Sequence, residues 1–453
     1  MSIKKNDDIV LKIEDMTNEG SSVGHFNGMA VFVRGGVTGD ELVAHIIKTK
    51  KSYAVGVVKE IIKLSEFRIE SDCSVSDKCG GCSFRNMTYE AELSYKQNRV
   101  ADALKRIGGV DAPVRRIIGA SRVDRYRNKA QYPVSIRDGK MLAGFYAYKS
   151  HRIIPCGDCR LQQASFKDIL DAVEKWACEN DVTSYDENTG KGLLRHIYIR
   201  KAPATNETMV CLVVNGKSVP NEEALVFALS QDDNIKSICV NTNCDATNVI
   251  LGDFTRIIYG SETITDILLG KRFVISPHSF YQVNHDQCER LYEKAIEYAD
   301  LTGNETVVDL YCGVGTIGLS MADKAKQIFG IEIVPQAIEN AKINAELNSI
   351  TNAEFFCGDA YDGAKELAKR GITPDVVVLD PPRKGCQAEL FDVISAMNPS
   401  RIVYVSCDAA TLARDLKILA ERGYKTVEVT PVDMFPRTPH VEAVCLLSRK
   451  APV

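Results

Sequence analysis

The chain has 453 residues, 45% of them hydrophobic and 26% charged, with a formal net charge of −4. These values fit a globular chain of about three ordinary domains and exclude a disordered tail, a collagen-like fibre, a small disulfide scaffold and a globally basic nucleic-acid binder. No apolar run is long enough to span a bilayer and the first residues carry no apolar signal-peptide core, so a cytoplasmic protein without a membrane is expected.

Residues 1–62 predict a small β-barrel. Strand-like runs at Ile9–Ile13, Gly28–Val33, Glu41–Lys48 and Tyr53–Ile61 are separated by the turn signals Asn27-Gly28, Gly35-Gly36 and Gly39-Asp40. Residues 63–262 predict a second, α+β domain. It opens with a loop carrying Cys73, Cys79 and Cys82, followed by a helix over Tyr89–Ile107. Between Ser94 and Arg152 there are 14 Lys/Arg against 4 Asp/Glu, interleaved with Tyr126, Tyr132, Phe145, Tyr146 and Tyr148. Cations with aromatic faces suit a phosphate backbone with unstacked bases; a solvated basic face is the plain alternative. Further along, helices are expected over 166–180 and 221–230, and strands at Gly192–Arg200 and Met209–Asn215.

The 15 cysteines are an odd number with uneven spacing, which favours free thiols over a disulfide framework. Cys73, Cys79 and Cys82 place three thiols in one glycine-rich loop, and Cys156 or Cys159 offers a fourth. Four thiolates suit zinc or an iron–sulfur cluster, and zinc is the commoner outcome from spacing alone.

From 263 to 453 the pattern becomes regular: apolar strands at 306–310, 327–331, 353–356, 375–379, 401–405 and 426–430 alternate with helices, predicting a doubly wound parallel sheet. Such sheets bind ligands at the carboxyl ends of their strands, near the point where strand order reverses. After the first strand, Gly313 and Gly315 allow a sharp turn before a helix near Thr316; after the second comes Glu332, placed for a ribose diol; after the third comes Asp359. The fourth strand ends in Asp380-Pro381-Pro382-Arg383, whose prolines hold the loop extended. The fifth ends at Cys407, just before a helix that should favour its thiolate. Glu442 leads into the apolar last strand, where burial should raise its pKa and suit it to proton transfer.

Two resemblances follow from these residues. Gly20–Val33, with Gly39-Asp40-Glu41 and Tyr53–Gly56, resembles the TRAM domain, an OB-like barrel found on RNA-modifying enzymes. Asp309–Gly315 with Glu332 resembles motifs of S-adenosylmethionine-dependent methyltransferases. Together with Phe280–Asn284, Asp380–Gly385, Ser406–Asp415 and His440–Glu442 they look like the bacterial RNA 5-methyluridine methyltransferase family.

The resemblance implies an α/β chain: an N-terminal OB-like β-barrel, a central α+β domain and a C-terminal Rossmann-like class I methyltransferase domain. It implies that Gln282, Tyr311, Glu332 and Asp380 contact S-adenosylmethionine, that Cys407 is the nucleophile and that Glu442 is the base. It implies a [4Fe–4S] cluster on Cys73, Cys79, Cys82 and Cys159, and a monomer acting on structured RNA, with 23S rRNA as substrate. Relatives acting on the tRNA T-loop look alike in the catalytic third but typically lack the barrel and the cysteines. Asp408-Ala409 departs from the family's usual Asn-Pro or Asp-Pro, which should loosen the loop after the nucleophile. A tRNA methyltransferase, a non-catalytic iron–sulfur RNA-binding protein and an N-methyltransferase needing no cysteine are the alternatives.

Overall fold

The computed structural model describes residues 3–137 and 140–450. Six strands come first: β1 (Asp8–Lys12), β2 (Asp15–Met16), β3 (Ser22–Phe26), β4 (Met29–Arg34), β5 (Glu41–Thr49) and β6 (Tyr53–Lys63), in the order β1-β5-β6-β4-β3-β2. Alternate residues point inward, as the two-residue period of a strand requires, and Val31, Val33, Leu42, Ala44, Ile46 and Ala54 fill the interior. The sequence pattern did not reveal β2 and β3, because Ser22-Val-Gly-His-Phe carries little hydrophobic alternation. Gly24 explains the composition. A Cβ there would lie 2.3 Å from the Lys12 carbonyl oxygen, where the end of β1 crosses β3 and the Glu14 amide donates to Val23 O at 2.9 Å.

Helix α1 (Tyr89–Ala103), capped by Thr88, leads into the central domain. There, β7 (Lys129–Arg137), β8 (Lys140–Tyr146), β9 (Ile153–Pro155), β10 (Leu194–Lys201), β11 (Thr208–Val214), β12 (Ile235–Thr242) and β13 (Phe254–Gly260) form one sheet, ordered β13-β12-β11-β10-β7-β8-β9. Helices α2 (Phe166–Glu179) and α3 (Glu222–Leu229) supply Ile169, Val173, Trp176 and Leu225 to its core.

A hairpin, β14 (Ile264–Leu268) and β15 (Lys271–Ile275), and helix α4 (His285–Ala299) introduce the last sheet. It is built from β16 (Thr306–Leu310), α5 (Thr316–Met321), β17 (Gln327–Glu332), α6 (Pro335–Leu347), β18 (Ala353–Cys357), α7 (Ala360–Lys369), β19 (Val376–Leu379), α8 (Ala388–Met397), β20 (Arg401–Ser406), α9 (Ala409–Glu421), β21 (Tyr424–Val432) and β22 (Glu442–Arg449). The order β18-β17-β16-β19-β20-β22-β21 is parallel through β20, with β22 antiparallel to both neighbours. Strand order therefore reverses between β16 and β19.

Part of the basic excess of residues 94–152 is paired within the structure. Lys96 pairs with Glu92 and Asp433, Arg115 with Glu428, Arg122 with Asp286, Arg125 with Asp158 and Lys149 with Glu19. The first of these is fully buried. The Lys96 ammonium donates to Glu92 Oε1 and Asp433 Oδ1 at 2.6 Å each and to Phe435 O at 3.1 Å. Tyr89 Oη donates to the other oxygen of Asp433 at 2.7 Å, and the Arg437 amide donates to Glu92 Oε1. Helix α1 is thereby fastened to the loop that runs into Glu442. Removing one partner of a buried ion pair typically costs about 3–5 kcal/mol, because the remaining charge is stranded. Lys96→Met is expected to lower unfolding free energy by about that amount in urea denaturation.

A candidate active site at the carboxyl edge of the last sheet

Strand register lines up the predicted residues. Leu310 pairs with Ile331 and with Leu379, so Tyr311, Glu332 and Asp380 emerge side by side at the topological switch point. Ser406 pairs with Ala443, so Cys407, one residue past β20, and Glu442, at the start of β22, emerge together at the same edge. Gln282 is buried two residues before Asn284, the N-cap of α4; its carbonyl accepts from Asn128 Nδ2 at 3.0 Å. The α4 residues Cys288 and Tyr292 feel the Asp380 charge, and Cys288 feels Glu442, which places that helix against the same cleft.

The loop after β16 is held in a left-handed course, with φ of +69° at Tyr311, +55° at Gly313 and +83° at Gly315. Positive φ disfavours side chains with a Cβ, which accounts for both glycines. A Cβ on Gly313 would point into open space, leaving room for a ligand there. Glu332 secures the turn: its oxygens accept from the Gly313 amide at 3.2 Å and the Val334 amide at 2.9 Å. Asn344 on α6 buttresses it, donating to Val314 O at 3.0 Å and accepting from the Val274 amide at 2.9 Å. Sequence inspection missed Asn344, since a mid-helix Asn carries no local signal of such a distant partner.

Asp309 lies beneath this loop. One oxygen accepts from the Gly318 amide at 3.0 Å and the other is buried without a partner. Burial, then the nearby Asp380 charge, pushes its carboxyl up to about 8. An unpartnered buried oxygen below an open glycine turn, with Glu332 and Asp380 alongside, suits a cationic ligand with a ribose, as S-adenosylmethionine is. Asp359 caps α7, accepting from the Tyr361 amide at 2.9 Å, so that carboxylate has a structural task at the same edge.

Two expectations about the nucleophile are corrected. The Cys407 thiol is pushed up to about 11, not down. Burial is the main cause, the Glu442 and Asp380 carboxylates add to it, and Arg383 opposes them. Asp408, not Cys407, is the helix cap, so the helix terminus acts first on that carboxylate. Nor does Asp408-Ala409 loosen the loop: Asp408 Oδ1 accepts from the Thr411 amide at 2.9 Å, and its own amide donates to Ser406 Oγ at 3.2 Å. Glu442 is buried, and burial followed by the Asp380 charge raises its carboxyl to about 8, in the expected direction. Asp380 rises to about 7 through burial. His440, beside the cations Arg383, Arg99, Lys96 and Arg127, is held neutral at about 4, chiefly by burial.

The cysteine loop lies far along the chain from this edge but is tied to it, because the Ser83 and Phe84 amides donate to Arg437 O. Among the described residues, no group of three or more Cys, His, Asp or Glu stands at metal-holding geometry, so the expected ligand set Cys73, Cys79, Cys82 and Cys159 is not preformed. A physical reason is visible in the thiols. Cys156 donates a hydrogen bond to Cys159 and lowers its pKa, while burial and repulsion from neighbouring thiols raise Cys79 and Cys82. The loop thiols Cys79 and Cys82 thus sense Cys159, and Cys159 is in turn paired with Cys156. The donor chemistry fits a thiolate-bound metal group: the Gly81 amide donates to Cys79 Sγ at 3.3 Å, and buried Arg85 beside Cys82 keeps two N–H groups without a partner.

Residues 252–450 match the tRNA (uracil-5-)-methyltransferase family model, and residues 7–59 match the TRAM domain. A protein from Clostridium tetani named an uncharacterized RNA methyltransferase is 44% identical, over 98% of this chain and 97% of its own length. A similarly named protein from Halalkalibacterium halodurans is 45% identical over 99% and 98%. Among solved structures, the Pyrococcus abyssi tRNA (uracil-54, C5)-methyltransferase in complex with S-adenosyl-L-homocysteine superposes with a TM-score of 0.79 at 27% identity, covering 97% of this chain and 99% of its own. Coverage that complete extends over the barrel segment as well as the last sheet. With the strand order, the glycine turn and the row of carboxylates, these matches place the chain in the S-adenosylmethionine-dependent RNA uracil-5-methyltransferase family, joined to a TRAM domain.

Proposed function

We propose that the chain methylates carbon 5 of a uridine in 23S rRNA through a covalent adduct between Cys407 and carbon 6. The observation carrying this reading is the adjacency of Cys407 and Glu442 at one sheet edge, beside the Tyr311–Glu332–Asp380 row. Carbon 5 of uracil is a weak nucleophile. Attack of the Cys407 thiolate on carbon 6 pushes the double-bond electrons onto the ring as an enolate, and carbon 5 then takes the methyl group. S-adenosylmethionine, bound by Gln282, Tyr311, Glu332 and Asp380, supplies that methyl as an electrophile. Glu442 removes the proton left on carbon 5, and the electrons of that C–H bond expel the thiolate and restore the double bond. A carboxyl raised to about 8 is a stronger base once ionised than an ordinary carboxylate, which suits a carbon acid. The base has to leave its stack to reach the cleft, and the exposed Phe280 ring beside Gln282 offers a stacking face.

The barrel and the cysteine loop are the features on which the resemblance favours ribosomal RNA. A tRNA substrate is the second reading, favoured by the full-length likeness to the P. abyssi enzyme. Mapping 5-methyluridine in rRNA and tRNA of a deletion strain decides between them: loss from 23S rRNA is expected, and loss from tRNA alone overturns the rRNA assignment.

Cys407→Ala is expected to abolish methylation. RNA bearing 5-fluorouracil should trap a protein–RNA adduct on a denaturing gel, since fluorine cannot leave as the proton does. Glu442→Gln should accumulate the same adduct with natural RNA. Absence of both adducts would count decisively against the covalent route.

For the cysteines we propose a [4Fe–4S] cluster held by Cys73, Cys79, Cys82 and Cys159. Anaerobically purified protein is expected to be brown, with about four iron atoms per chain. Stoichiometric zinc with no visible absorbance would replace that assignment.

A further inference from the structure

The loop after β19 and the helix after Cys407 are locked together by side chains for which the reaction as described has no use. Three backbone groups of residues 383–386 are taken by three side chains of α9: Thr411 Oγ1 donates to Arg383 O at 3.0 Å, Arg414 Nη2 donates to Lys384 O at 2.9 Å, and Asp415 Oδ2 accepts from the Cys386 amide at 3.0 Å. Asp415 is fully buried, and the same oxygen accepts from Tyr404 Oη on β20 at 2.6 Å. The packing leaves no slack. Gly385 sits at φ +76°, and a Cβ there would lie 2.3 Å from Thr411 Cγ2 and 2.5 Å from Asp415 Oδ2. Thr411 lies four residues after Cys407, so the clamp ties the backbone of Arg383 to the helix that follows the nucleophile, and the Arg383 charge acts on the Cys407 thiol. Arg383 is exposed and forms no ion pair among the described residues, which leaves its charge uncommitted.

Resting on the covalent reading above, we propose that Arg383 is the cation that stabilises the Cys407 thiolate, and that Thr411, Arg414 and Asp415 are positioning residues that aim it. The need for such a cation follows from the surroundings. The charged groups acting on Cys407 are Glu442 from β22, Asp380 from the end of β19, and Arg383. Two of the three are carboxylates that oppose ionisation of the thiol, and the neighbouring His440 is held neutral and adds no positive charge. The helix terminus, which usually activates such a cysteine, is occupied by Asp408. A guanidinium stays charged at any pH the enzyme meets, so Arg383 can serve both when the thiolate forms and when it is expelled.

Alkylation of Cys407 by iodoacetamide between pH 6 and 10, followed by mass spectrometry of the Cys407 peptide, reads the thiolate directly. Arg383→Gln is expected to slow alkylation about three- to ten-fold below the thiol's pKa and to move the profile to higher pH, with Arg383→Lys restoring most of the rate. kcat should fall while the KM for S-adenosylmethionine holds. Asp415→Asn should move the profile the same way. Because it alters a buried group, Thr411→Val provides a milder removal of one clamp bond and should shift the profile in that direction too. An unaltered profile in Arg383→Gln, with Cys407→Ala inactive, overturns the Arg383 assignment alone. Unaltered profiles in both Thr411→Val and a folded Asp415→Asn overturn the positioning role. Methylation surviving in Cys407→Ala overturns the covalent reading itself.

Discussion

The Lys96 ammonium, wholly removed from water, sits between Glu92 and Asp433, and the placement of the catalytic edge depends on it. An isolated ammonium in that position would cost several kcal/mol, so it persists only with both carboxylates and the Phe435 carbonyl in place. Glu92 registers the tension: burial raises its carboxyl to about 6 against the downward pull of Lys96. Through this network α1, which follows the barrel and the cysteine loop, is joined to residues 433–437, just upstream of His440 and Glu442. Other parts of the chain converge on the same loop. Tyr126 donates to Pro436 O, Asn284 to Met434 O, and Gln287 to Asp433 O. Helix α1, the segment before β7 and the start of α4 therefore meet at the segment that delivers the base.

At the sheet edge itself the governing fact is the crowding of carboxyls. Asp309, Asp380 and Glu442 all have raised pKa values, burial being the first cause in each. A buried edge that resists charge makes a poor setting for a thiolate, whereas a positively charged methyl donor bound there would draw these carboxyls back toward their ionised form. The same arrangement thus favours the donor and disfavours the nucleophile. That conflict is what gives the cation at Arg383, and the clamp beneath it, a reason to exist.

Particular residues show how far the sequence could be followed. Asp309, Gly313, Gly315, Glu332, Asp380, Cys407 and Glu442 were legible because strand ends in a doubly wound sheet are also its ligand sites, so a one-dimensional pattern fixes a row in space. The barrel was legible as a barrel, but β3 was not, because its key residue is a glycine chosen for closeness to Lys12 O rather than for strand propensity. The basic stretch was legible as a count of charges, yet Lys96, Arg115, Arg122 and Arg125 are matched by acids remote in sequence or across a turn, and no local pattern reveals those pairs.

The chain's sequence by itself determined the order of strands and helices in the last sheet, the residues standing at its carboxyl edge and the chemical types gathered there, since these depend on periodicity and local turn geometry. Tertiary structure alone decided how those groups behave. Whether Cys407 is acidic or reluctant, whether Cys156 or Cys159 meets the cysteine loop, and which cations remain unpaired are set by burial and by charges brought from elsewhere in the chain. Electrostatic energy depends on distance and on the surrounding dielectric, and neither exists until the chain has folded.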